Sequence, residues 1–200
     1  MKSFNLQGKE RKEVGKKATK TVRKSQNVPC VLYGGDKNVH FTATEGDLRK
    51  LIYTPEVHIV NLNIDKTKAH AIVKEIQFHP VNDRILHIDF LEVFENKPVV
   101  VELPVKLTGL AEGVRAGGKL SLEMRKLRVK GLYSKIPENI TLDVTDISLG
   151  KSIQVGTISV PDLEIMNAKN AVVAQVKLTR AARGAAATAE GEAAEKPKAE

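Results

Sequence analysis

RKEVGKKATKTVRKSQNVPCVLYGG, residues 11–35, begins as a dense run of cations and ends as an apolar strand closed by a turn. The apolar part, residues 28–33, reads as a β-strand, and Gly34 and Gly35 punctuate it. The basic part holds most of the chain's charge. Residues 1–25 carry nine Lys or Arg against two Glu, which is +7 of a formal +8 for the whole chain. The other 175 residues are nearly neutral, with 23 bases and 22 acids. A block of like charge repels itself unless an anion neutralises it. Lys and Arg beside interleaved Thr19 and Thr21 suit a phosphate backbone, since cations bind it electrostatically and hydroxyls add hydrogen bonds. A solvated, mobile arm without a partner is the alternative on charge alone.

Outward from this stretch, Phe4 and Leu6 alternate with polar residues and suggest a short first strand. Lys16, Lys20 and Lys24 are four apart, with Arg23 close to their line, so a helical turn would gather these charges on one face. Self-repulsion argues against that helix in the absence of RNA. Downstream, strands are expected at 39–42, 57–64, 69–78 and 86–94. A helix starts at Thr44, carries the stripe Leu48, Leu51 and Ile52, and stops at Pro55. Asn96, Lys97 and Pro98 read as a domain boundary. Beyond it, strands are expected at 99–107, 120–122, 127–130, 140–144, 153–158 and 171–178. The connection GLAEGVRAGG, residues 109–118, fits neither GxGxxG nor a P-loop and reads as a hairpin or ordered loop. The chain is thus mainly β (α+β), with domains over 1–95 and 96–180. Residues 181–200, rich in Ala, Glu, Lys and Gly, cannot bury enough to order themselves and are expected to form a disordered tail.

Several function classes find no support. Cys30 is the only cysteine and lies in an apolar run, so it reads as a packing residue rather than a nucleophile. His40, His58, His70, His79 and His87 show no metal-binding spacing. No Ser in a nucleophile-elbow setting accompanies His87 and Asp89, and the acids form no recognisable catalytic frame. No catalytic residue, metal or cofactor is therefore assigned. The opening residues contain no apolar signal region, and no run approaches the roughly 20 apolar residues of a membrane span. A cytoplasmic protein without a membrane partner or small-molecule substrate is expected.

Side chains alternate along a strand. In LHIDF, Leu86, Ile88 and Phe90 share one side, and His87 and Asp89 the other. The same period puts Ile72, Ile76 and Phe78 on the core side, with Glu75 and Gln77 opposite. Two strands then present Gln77, His87 and Asp89 on a polar face, either an ordinary solvated surface or one able to hydrogen-bond base edges.

The segments RKEVGKKATKTVRK, VPCVLYGG and VKEIQFHPVNDRILHIDF, with GLAEGVRAGGKL and IPENITLDVTDISLGKSIQV further on, resemble the bacterial large-subunit ribosomal protein family that binds 5S rRNA. The resemblance is to its long two-domain form, often called general stress protein CTC, and covers residues 1 to about 180. It implies a small N-terminal β-barrel with short helices over residues 1–95, and a β-rich second domain. It implies 5S rRNA as partner, with neighbouring components of the large ribosomal subunit. By motif, Arg11, Lys16, Thr19, Lys20 and Arg23 would meet the RNA backbone. Tyr33, Gly34 and Gly35 would lie beside them, and Gln77, His87 and Asp89 would reach base edges. Thr21 stands where the family commonly has a further base, and GLYSKIP at 131–137 departs from its usual acidic, proline-containing segment. Two alternatives stand beside this reading. One is a general double-stranded nucleic-acid binder. The other is an enzyme fragment, since such a barrel also resembles the anticodon-binding part of glutaminyl-tRNA synthetase.

Overall fold

The computed structural model describes residues 1–179 apart from positions 36 and 66. The expected tail at 181–200 lies outside the described residues. Thirteen strands and three short α-helices are formed among those described. In order they are β1 (Lys2–Glu10), α1 (Lys16–Lys24), β2 (Asn27–Tyr33), β3 (Val39–Thr44), α2 (Glu45–Ile52), β4 (His58–Ile64), β5 (Thr67–Phe78) and β6 (Ile85–Glu92). Then come β7 (Val99–Thr108), α3 (Glu112–Arg115), β8 (Lys119–Leu122), β9 (Lys126–Gly131), β10 (Ile140–Asp143), β11 (Ser152–Gln154), β12 (Glu164–Ile165) and β13 (Val172–Lys177).

Strands β1 to β6 close a barrel in the order β1-β3-β2-β6-β5-β4. The β1–β4 and β2–β6 pairs are parallel and the others antiparallel. Inward positions recur at alternate residues and are filled by branched aliphatics. Leu6, Val28, Leu32, Val60, Leu62, Ile64 and Ile88 are all buried. Phe41 and Phe90 meet across the centre with ring centroids 5.6 Å apart. Cys30 is buried among them, and burial pushes its thiol far above the ordinary range. It packs, as its apolar surroundings in the sequence imply. Helix α2 buries Leu48 and Leu51 in the same core. Glu45 and Asp47 in its first turn, and Arg49 and Lys50 in its last, complement the helix dipole.

Three local readings needed correction. Phe78 is not a core residue but 43% exposed. The β5–β6 register slips between Gln77 and Phe78, so strict alternation fails there. The basic segment is helical, over the nine residues of α1. The Gly-rich connection contains a helical turn, α3, because the Glu112 and Gly113 N–H groups find acceptors in the Thr145 and Ile147 carbonyls at 3.0 and 2.8 Å. Two strands also depart from expectation. The one expected at 153–158 is strand only to Gln154 before a 3-10 turn, and the two-residue β12 carries no sequence signal.

The chain divides into two compact units that interleave in sequence. The first comprises Met1–Pro104, Arg128–Asn139 and Asp162–Glu164. The second comprises Val105–Leu127, Ile140–Pro161 and the described residues from Ile165 onward. Within the second, β13 lies between β11 and β8, and Ala111, Val144, Ile147 and Val176 form a small core.

Candidate nucleic-acid interface

The outer face of the barrel is set by strand register. Gln77 stands opposite His87, and Glu75 opposite Asp89. Asp89 is level with Val31 of β2, and Val31 with His40 of β3. The Arg11 N–H donates to the His40 carbonyl at 2.8 Å. A single cross-strand row therefore runs Arg11, His40, Val31, Asp89, Glu75. The alternate residues Phe41, Cys30 and Ile88 are buried, so this row faces outward.

Within that face His87 and Asp89 are paired, with Nδ1 2.7 Å from Oδ1. Both stay partly open, at 24% and 31% exposure. The neutral imidazole, donating from Nδ1 to the carboxylate, presents Nε2 as an acceptor; the protonated ring presents it as a donor. Tyr33 lies two residues beyond Val31 on β2. Partial burial, together with the negative charges of Asp89 and Glu75, raises its phenol, which stays a hydrogen-bond donor at neutral pH. Gly34 has φ +101°, and a Cβ there would approach the Leu91 side chain to 2.7 Å. A Cβ on Gly35 would strike the Glu92 carboxylate. The two glycines therefore let the end of β2 lie close against β6.

Helix α1 packs against β2. Gly15, with φ +117°, starts it in a backbone conformation that side chains rarely adopt. Lys16, Lys17, Lys20, Thr21 and Lys24 are exposed, while Ala18, Thr19 and Val22 are half-buried on the docked side. No carboxylate among the described residues pairs with the cations of α1. Lys16 and Lys20 are thus open to an external anion. Thr19 differs, because its hydroxyl is within hydrogen-bond distance of the Gly15 and Lys16 carbonyls, at 2.8 and 3.1 Å. Arg23 differs too. It borders the cation face, but its guanidinium turns to the barrel and donates from Nε and Nη2 to the Leu86 carbonyl, at 3.1 and 3.0 Å.

The barrel thus brings together Gln77, His87, Asp89, Tyr33 and the Arg11 backbone, with Gly34 and Gly35 at the edge of the group. Lys16 and Lys20 stand apart on α1. Sequence reading overlooked His40, although the alternation Val39-His40-Phe41-Thr42 places it outward with Thr42. Its Nδ1, like Arg11 Nε and Nη1, is shielded from solvent without a hydrogen-bond partner among the described residues. The part played by the Leu86 carbonyl has no sequence signal, since every residue has one. The candidate site is an exposed cation row on α1 and, on the barrel, a patch with two carboxylates. The cations suit phosphates and the acids suit base-edge donors.

Residues 6–90 match the Ribosomal L25p family, and residues 98–180 match the family described as Ribosomal protein TL5, C-terminal domain. Among similar proteins, one from Phocaeicola vulgatus, named large ribosomal subunit protein bL25, is 57% identical over 196 residues, covering 94% of this chain and 99% of the relative. The chain belongs to the bL25 family. A bL25 protein from Porphyromonas gingivalis is 60% identical over 188 residues, covering 93% and 98% of the two chains. One from Azobacteroides pseudotrichonymphae is 59% identical over 184 residues, covering 92% and 97%. Both halves of the expected long form are therefore matched. As a member of the bL25 family the chain is a structural protein, not an enzyme. Among the described residues no helix is long and apolar enough to cross a membrane.

Proposed function

We propose that this chain is a structural component of the large ribosomal subunit that binds 5S rRNA, in the bacterial cytoplasm. The reading is carried by the cation face of α1, whose lysines have no carboxylate partner among the described residues, together with the His87–Asp89 pair on the barrel. Lys16 and Lys20, with Arg11, would neutralise phosphates. Gln77, His87 and Asp89 would hydrogen-bond base edges, and Tyr33 would donate alongside them. A-form RNA offers a wide, shallow minor groove, and an irregular internal loop distorts it into a surface that a sheet face can read. The acids on this patch would accept from base-edge donors, because phosphates repel them. The matched second half, residues 98–180, would meet neighbouring components of the subunit. No membrane, cofactor or small-molecule substrate enters this function.

Sequencing the RNA that co-purifies with the protein at moderate salt tests the reading. Enrichment of 5S rRNA over other duplex-rich RNA is expected. Recovery of RNA in proportion to its abundance would instead indicate a general duplex binder driven by charge alone.

A further inference from the structure

Helix α1 has few reasons to stand on its own. It spans nine residues, well short of the roughly 12–15 at which isolated helices become marginally stable. Lys16 and Lys17 sit at its N-terminal end, where the dipole disfavours cations. None of its residues is fully buried, so apolar docking through Ala18 and Val22 is modest. Arg23 alone on this helix donates a side-chain fork to the barrel, from Nε and Nη2 to one carbonyl.

The acceptor is created by the register of the sheet. Gln77 pairs with His87 and Phe78 with Ile85, so Leu86 falls in the slip and has no β5 partner. The β2–β6 pairing begins only at Ile88. A residue passed over in this way has its backbone free for another partner. Arg23 takes its carbonyl, next in sequence to His87.

We propose that Arg23 is a positioning residue, which clamps α1 to the bulge at Leu86 and so sets the cation row in register with His87 and Asp89. This rests on the RNA-binding reading above and reassigns one member of the expected phosphate contacts. The fork at position 23 is occupied by a neutral carbonyl, and its geometry matters more than its charge. Lysine keeps the charge but cannot supply planar, paired N–H donors.

Arg23→Lys and Arg23→Gln, compared with wild type for affinity to 5S rRNA over a salt series, separate the two roles. A clamp predicts that both variants lose affinity equally, by about tenfold or more. It also predicts that their log–log salt slopes coincide. Wild-type affinity in Arg23→Lys, with a slope flatter by about one in Arg23→Gln, would overturn the clamp in favour of a phosphate contact. Unchanged affinity in both would also overturn it. The free wild-type protein gives a second readout, the Arg23 Nε–H resonance in a proton–nitrogen spectrum. Slow solvent exchange is expected, and exchange as fast as an exposed arginine would refute the clamp even if a variant misfolds. Failure of the wild-type protein to prefer 5S rRNA over an unrelated duplex would refute the RNA reading instead, and the resonance would still decide whether the clamp exists.

Discussion

Helix α1 and the β8–β13 face of the second unit are both lysine-bearing surfaces, and they treat their charges in opposite ways. On α1, Lys16 and Lys20 project with no carboxylate partner among the described residues. On the other face, the Lys177 ammonium lies 2.8 Å from the Glu123 carboxylate, which also accepts from Gln175 at 2.8 Å and Ser121 at 2.9 Å. Those partners hold Glu123 down to about 2. The first surface leaves its lysines open to an external anion, whereas on the second Lys177 is paired within the chain. Density of charge is therefore a poorer guide to a binding surface than failure to pair it internally.

The largest effect expected is from Lys16→Gln with Lys20→Gln. Removing two ammonium–phosphate pairs should flatten the salt dependence of 5S rRNA affinity by about two units, and weaken binding on the order of a hundredfold at low salt. A titration at several salt concentrations measures both. An unchanged slope would remove the contrast between the two surfaces.

Asp89→Ala sharpens the comparison from the polar patch. If Asp89 accepts from a base edge, the variant should bind 5S rRNA about ten- to hundredfold more weakly, while weak binding to unrelated duplex stays constant. If the carboxylate were a bystander, its removal would relieve repulsion and tighten binding. His87→Ala should weaken the specific complex as well, since the two side chains are joined at 2.7 Å.

Lys177→Gln asks the reverse question. Its cation is already paired, so affinity and salt slope for 5S rRNA should match wild type within error. A flatter slope would show that the second unit also meets phosphate, and the comparison would break.

The smallest effect belongs to Glu123→Gln. A carboxylate held below its ordinary value of 4.5 stabilises the fold fully above that pH and loses its contribution as pH falls toward about 2. The variant should therefore melt slightly below wild type at pH 7, and the gap should close between pH 4.5 and 2. Solvent screening of this exposed cluster keeps the difference small. Thermal melts across that range measure it.

Much of this was legible because β-strands carry a period of two. Ile88 and Phe90 inward, His87 and Asp89 outward, follow from alternation alone. The parts that resisted were those where a single backbone step changed the pattern. The slip beyond Gln77 brought Phe78 out and left Leu86 unpaired, and no side-chain periodicity encodes such a step. Helix α1 resisted for another reason. Its charge argues against helix, and no sequence pattern marks that Arg23 meets a carbonyl 63 residues away. The hydroxyl of Thr19, expected to meet the RNA backbone, lies within hydrogen-bond distance of the preceding turn, as a threonine near a helix start readily does.

That separation of 63 residues also has a consequence in time. Bacterial chains grow at roughly 5–20 residues per second, so Leu86 is made about 3–13 s after Arg23. During that interval Arg23 lacks the carbonyl that its guanidinium meets in the folded chain. A clamp at Leu86 would therefore reach the newborn cation segment only after an interval in which its charge is open to any nucleic acid within reach. Slowing elongation between Arg23 and Leu86 should lengthen that window, whereas slowing it after Leu86 should not.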